Sequence, residues 1–286
     1  MSTNHRRWVG ALLWALAVVL TLSLAVYQRR SGPTYPLRGE LTAQATTAPY
    51  KLLRSATTGA PAEITLPALD GVEGSLLWRR YPSREAFEEV PLRHQGEALV
   101  GDLPSQPPAG KAEYYLTLSG AGDARIPTDG AVVLRYKGDV PAGVLVPHIL
   151  FMFTAMLFGV RTLLEALRRG PGQRWMTWTT FGTLAAGGMV LGPLVQRYAF
   201  GALWTGVPFG WDLTDNKTLI IFLGWLGAVA MLGRSGPLSK AARNMGVVAA
   251  VLMLMMYLIP HSMYGSQLDY DKVDQGVQPE DAIHQG

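Results

Sequence analysis

VLVPHILFMFTAMLFGVRTLLEALRRG, residues 144–170, is the stretch on which the fold turns. From Val144 to Leu167 it is almost unbroken apolar sequence, and an α-helix needs only about 20 such residues to cross the hydrocarbon core of a bilayer. It ends in Arg168 and Arg169. Working outward, four further stretches read the same way: Trp8 to Tyr27, Trp175 to Val195, Thr218 to Leu232 and Met245 to Ile259. The Thr218 run is short, and tilt or local thinning would accommodate it. Trp8, Tyr27, Trp175, Trp178 and Tyr257 lie near span ends, where an aromatic belt belongs.

Charge sets the expected orientation. Arg6 and Arg7 precede the first span, Arg168, Arg169 and Arg174 lie between the second and third, and Arg234, Lys240 and Arg243 between the fourth and fifth. The segment after the fifth span carries Asp269, Asp271, Asp274, Glu280 and Asp281 against Lys272. Positive loops stay in the cytoplasm. The N-terminus is therefore expected inside the inner (cytoplasmic) membrane, and residues 31–140, the loop 196–217 and the acidic tail outside it. The first span has two readings. Ser23-Leu24-Ala25 offers a signal-peptide cleavage site, whereas the length of the run and the closing Tyr27 and Arg29-Arg30 favour an uncleaved anchor.

Residues 36–44, 63–68, 74–81, 97–103, 112–119 and 131–137 read as short strands, separated by turn signals such as Asp70-Gly71, Pro107-Pro108 and Asp129-Gly130. Strands at this spacing predict an immunoglobulin- or fibronectin-like sandwich. The expected fold is thus a membrane all-α bundle of five transmembrane helices with an inserted extracytoplasmic all-β sandwich. Its parts are an anchor (1–30), the sandwich (31–140), a four-helix transmembrane domain (141–262) and an acidic tail (263–286) expected to be solvated and weakly ordered.

Composition removes several function classes. Only 16% of the 286 residues are charged, against about a quarter in soluble domains. The net charge of +4 comes from short clusters between apolar runs, so no nucleic-acid partner is implied; membrane lipid and other membrane or periplasmic subunits are. The absence of cysteine excludes disulfides, thiolate metal sites and a Cys-x-x-Cys-His heme attachment. No serine, histidine and acid trio suggests a hydrolase, and no catalytic residue is assigned.

Chemistry-bearing residues gather on the expected outer surface. His148 follows Pro147 at the start of the second span, and His261 follows Pro260 at the end of the fifth. Between them FGALWTGVPFGWDLTDNKT, residues 200–218, carries Trp204, Trp211, Asp212, Asp215 and Lys217. Neutral imidazole ligates heme iron or a transition metal. Indole rings offer flat surface to a porphyrin, and cationic or amide groups can hold its propionates. Asp212 also reads as a helix N-cap, with Thr214, Asp215 or Asn216 as the other candidates, and the tryptophans as belt anchors. Asp212, Asp215 and Asp269 together could form a cation site.

This arrangement resembles the tryptophan-rich "WWD" heme-handling membrane proteins of cytochrome c maturation. Phe200-Gly201, Trp204 and Trp211-Asp212 follow the order of that family's Trp-Gly-x-x-Trp-x-Trp-Asp loop, and Thr218-Leu219-Ile220 opens the next span similarly. Phe200 replaces the first Trp, and six residues separate Trp204 from Trp211 where the family has one. The resemblance covers residues 148–265. It implies heme as cofactor, His148 and His261 as its iron ligands, Trp204 and Trp211 stacking on it, and Asp212 with Lys217 orienting polar groups. The other reading is a non-catalytic accessory subunit or assembly factor that docks a partner through its sandwich.

Three other features have structural readings. Arg161 and Glu165 are one helical turn apart near the inner face, a spacing for snorkelling with mutual pairing. Gly188 and Gly192 suit close helix contact, and Met253, Met255 and Met256 read as apolar filler. His94 reads as a lone exposed histidine.

Overall fold

The computed structural model describes residues 3–43, 46–120, 123–233, 235–260 and 265–284. His261 and Arg234 lie outside the described residues.

The β-rich part contains β1 (Leu37–Ala43), β2 (Thr46–Leu52), β3 (Ser55–Thr57), β4 (Ala62–Pro67), β5 (Glu73–Arg80), β6 (Glu88–Pro91), β7 (Arg93–Gln95), β8 (Ala98–Leu103), β9 (Lys111–Ser119), β10 (Ala124–Ile126) and β11 (Val132–Lys137). One sheet has the order β3-β11-β9-β5-β6 with β10 on β9, a second has the order β4-β8-β7, and β1 pairs with β2 as a hairpin. Alternation drives the pairing. Ala112, Tyr114, Leu116 and Leu118 of β9 point inward, and Ala62, Ile64 and Leu66 of β4 do so from the other sheet. Leu99 and Leu103 of β8, Leu76 of β5 and Leu134 and Tyr136 of β11 join them in one apolar core. The six strands read from sequence are β1, β4, β5, β8, β9 and β11. The others escape that reading: Glu88–Pro91 and Arg93–Gln95 have no apolar alternation and are edge segments, and the seven-residue β2 carries Pro49. His94 is exposed on β7, as expected.

The helical part contains α1 (Thr3–Ser31), α2 (Ala142–Leu167), α3 (Gln173–Leu184), a π-helical segment (Ala185–Leu191), α4 (Gly192–Phe200), α5 (Leu213–Ala230) and α6 (Lys240–Leu258). Among the described residues four helices are long and apolar enough to cross a membrane: Arg7–Ser31, Ala142–Leu167, Gln173–Phe200 and Lys240–Leu258. The Leu213 helix is not among them, since Asp215 and Lys217 stand in its first turn and a half. Its lower half nevertheless shares the bundle core, where Ile221, Trp225 and Ala228 meet Ala155 and Met156 of α2 and Ala249, Ala250 and Met253 of α6. Met253 thus is buried filler, as read. α1 packs Trp14 edge-on against Phe158 of α2 at 5.2 Å.

The π segment has a local cause. Pro193 has no N–H and its ring crowds the carbonyl four residues earlier. Shifting to the wider register lets Gly192 N–H reach Gly187 O, five residues back. Glycines permit close approach here. A Cβ on Gly187 would meet Phe151 Cβ at 2.9 Å, and one on Gly188 would meet Thr218 Cγ2 at 2.9 Å.

Three expectations are corrected. The outer loop is shorter than 196–217, because α4 continues to Phe200 and α5 begins at Leu213. Arg161 and Glu165 do not snorkel. Both side chains are buried, and Glu165 accepts from Arg161 Nη1 at 2.7 Å, Arg168 Nε at 2.8 Å and Gly172 N at 3.1 Å. This ties the α2–α3 turn to α2, because a lone carboxylate at that depth would be costly. The described part of the acidic tail, residues 265–284, is folded. It forms β12 (Gln267–Leu268), α7 (Tyr270–Asp274) and β13 (Ile283–His284), with Leu268, Tyr270 and Ala282 buried.

Tyr270 explains that fold. Its hydroxyl donates to Lys111 O at 2.8 Å and accepts from Lys111 N at 3.0 Å. Arg80 lies over its ring and pairs with Asp274 at 2.8 Å, while Lys111 Nζ donates to Gln267 Oε1 at 2.7 Å. Burial, reinforced by the neighbouring Arg135 charge, pushes the Lys111 ammonium down to about 8. The unfolded chain then holds its proton more tightly than the folded chain, so the Lys111 contribution to stability rises as pH climbs from about 8 towards the ordinary value of 10.5. Thermal unfolding in detergent should show this rise, and Lys111→Met should flatten it; an unchanged slope would contradict the assignment.

Candidate functional site

Where the β-rich part meets the helices there is a cavity of about 360 Å³. α2 contributes His148, Met152, Phe153 and Met156, α4 contributes Gln196 and Phe200, and the start of α5 contributes Asp212 and Asp215. Ala25 of α1, Tyr257 of α6 and Arg135 of β11 complete much of the wall. It is thus apolar between the helices and polar towards the sheets. The volume lies within the roughly 300–1,000 Å³ of small-molecule sites.

His148 has a defined tautomer. Its Nδ1 lies 2.9 Å from Gly187 O. A carbonyl only accepts, so Nδ1 carries the proton and Nε2 of the neutral ring keeps its lone pair. Gly187 is the residue whose carbonyl the π register also uses, so Pro193 and His148 are linked through one backbone oxygen. A backbone acceptor that fixes the ring is the usual support of a ligating histidine.

The remaining polar residues form a buried knot. Asp212 caps α5 by accepting from Thr214 N at 2.8 Å and Asp215 N at 3.4 Å. Its other oxygen accepts from Ser266 N at 2.9 Å and Ser266 Oγ at 3.2 Å. Asp215 accepts from Thr205 N at 2.7 Å and Thr205 Oγ1 at 3.2 Å. Thr205 Oγ1 also meets Gln196 Nε2 at 2.6 Å and Ser266 Oγ at 3.1 Å. Arg135 Nη2 donates to Ser266 O at 3.2 Å, and its guanidinium lies 5.4 Å from the Phe200 ring. Burial lowers the Arg135 pKa, with the nearby Asp212 charge acting in the opposite sense.

Of the site residues singled out in the sequence, His148, Asp212 and Asp215 line the cavity. Trp204, Trp211 and Lys217 do not. Trp204 Nε1 donates to Val207 O at 3.1 Å within its own loop. Trp211 is 74% exposed. Lys217 Nζ is buried and donates to Ile259 O at 2.8 Å and Pro260 O at 3.3 Å, just beyond the end of α6. Stacking by the two tryptophans therefore has no support in this geometry. The N-cap reading of Asp212 holds, and it coexists with a place in the cavity wall. Asp269 does not join Asp212 and Asp215, because it caps α7 through Lys272 N at 3.2 Å. Among the described residues no group of three or more His, Cys, Asp or Glu is placed to hold a metal ion.

Arg135 and Gln196 are absent from the sequence reading, and Thr205 and Ser266 are not singled out within their polar segments. Only Arg135 carried a signal: a cation between the apolar Leu134 and Tyr136 of a strand. No protein-family model, curated protein or solved structure matches this chain significantly.

Asp212 offers a direct test of the knot. Asp212→Ala removes an N-cap worth about 0.5–2 kcal/mol and leaves buried donors unpaired at roughly 1–3 kcal/mol. Unfolding in detergent should show a loss of about 2–4 kcal/mol, and Asp212→Asn, which still caps, should lose clearly less.

Proposed function

We propose that this chain is an inner-membrane protein of five spans whose junction cavity holds a heme or similar redox cofactor in a respiratory or cytochrome-assembly system. α5 is its fourth span, with the polar first turn at the outer surface. The N-terminus is cytoplasmic, and the β-rich part, an immunoglobulin-like sandwich, lies outside with the tail. The anchor reading of α1 draws support from Gln28, whose amide donates to Tyr257 O and, at 3.2 Å, to Ile259 O. Ala25, at the possible cleavage site, lines the cavity.

The observation that carries the cofactor reading is His148: a ring fixed by Gly187 O, with Nε2 unprotonated, in the wall of a cavity of ligand size. His148 would supply one nitrogen to the iron, and the aromatic and methionine side chains would exclude water. Bound heme would supply one-electron chemistry. The chain purified from heme-sufficient cells, or supplied with hemin, should show a Soret band that His148→Ala removes or shifts. Absence of the band, or the same band in the variant, would overturn this reading.

A second reading, an accessory subunit or assembly factor, has its own observation. The loop between α4 and α5 is held from inside by Thr205 and by Asn216 Oδ1, which accepts from Val207 N at 2.8 Å. It nevertheless exposes Leu203, Val207, Phe209 at 70% and Trp211 at 74%. An apolar cluster kept rigidly outward suits contact with a neighbouring membrane subunit. Phe209→Ser with Trp211→Ser should change stability by no more than about 0.5 kcal/mol and should abolish any larger assembly seen on native gels. An assembly that survives the double change would refute docking by this loop.

A further inference from the structure

Each ion at the polar end of the cavity can be followed to its partners. Both oxygens of Asp212 are engaged, by four donors in all. Asp215 is held by the backbone and side chain of Thr205. Lys217 is turned away from the cavity onto two carbonyls. Arg135 differs. It is 7% exposed and lines the cavity, yet among the described residues only its Nη2 is engaged, on Ser266 O. A guanidinium has five N–H donors in a planar fork that matches a carboxylate. A buried cation with most of its donors unanswered is costly, and its surroundings show where an answer would come from. A Cβ on Gly265 would sit 3.2 and 3.3 Å from the two terminal nitrogens of Arg135 and 3.3 Å from Asp212 Oδ2. The absence of that Cβ keeps the approach to the fork open.

We infer that Arg135 receives the carboxylate of an amphipathic acid whose apolar body lies along Met152, Phe153 and Met156. This rests on the reading of the cavity as a ligand site and assigns its polar end. It also gives the β-rich part a recognition role, since Arg135 is the residue that β11 contributes to the wall. The neighbouring Asp212 does not compete for the same donors, because its own oxygens are already saturated. Two sources carry this chemistry: the propionate of a porphyrin and the head of a fatty acid.

The test uses the full chain in detergent with two matched pairs of probes, hemin against its dimethyl ester and cis-parinaric acid against its methyl ester. For at least one pair the acid should bind tenfold or more tightly than the ester. That preference should fall towards parity in Arg135→Gln and be partly kept in Arg135→Lys, which retains charge without the fork. A preference confined to the hemin pair identifies a cofactor acid, and one confined to the parinaric pair a lipid acid. Acid and ester binding equally to the unmodified chain, which needs no variant to fold, would overturn the inference. So would an acid preference that survives in a folded Arg135→Gln. The His148 reading fails separately, by a hemin spectrum indifferent to His148→Ala, and failure of every probe to bind overturns both.

Discussion

The structure depends on satisfying polar backbone where a membrane-embedded bundle meets a sheet domain. Between α4 and α5 the chain is neither helix nor strand, and its amides need partners that lipid cannot supply. Asp212 and Asp215 meet that need from one turn of helix. Asp212 closes the N-terminus of α5 and holds Ser266 of the returning tail, while Asp215 holds the backbone of Thr205. Asn216 and Lys217 extend the pattern to Val207 and to the end of α6. These four side chains thus bind one loop, two helix ends and the tail. The aromatic residues outside this knot are left on the surface.

The same constraint shapes the other wall of the cavity. Pro193 prevents a regular α-helical register, the π segment absorbs the defect, and the carbonyl of Gly187 becomes the fixed point for His148. A helix irregularity is converted into a defined imidazole tautomer. Pro193 itself touches no ligand in this scheme; it acts through the backbone.

Hydropathy made the bundle legible, because apolar runs of span length have few alternatives. It was weakest for α5, whose polar first turn dilutes the signal that Ile221 and Trp225 restore further along. Alternation revealed the core strands but not Glu88–Pro91 or Arg93–Gln95, which are held by their neighbours rather than by apolar faces. His148 and Asp212 were readable as polar residues at span boundaries. Arg135 and Ser266 were not, since their role comes from a contact across 131 residues of chain. The tail misled for a similar reason: its acidic composition suggests solvation, while Tyr270 binds the backbone of Lys111 at the start of β9 and Leu268 that of Ala109 just before it, groups that only the folded domain brings near.

The tail alters how the β-rich part can move. That part is an insertion, joined to the bundle through the segment after α1 and the segment before α2, and two tethers alone would define a hinge axis. Ser266, Leu268 and Tyr270 add a third attachment, and Gly138 N–H to Ala199 O at 2.8 Å pins the second tether. A body held at three points has no axis left to swing about. A load applied to the sheets would therefore reach the helices as a small displacement of the Ser266–Asp212 contact, not as rotation of one part over the other.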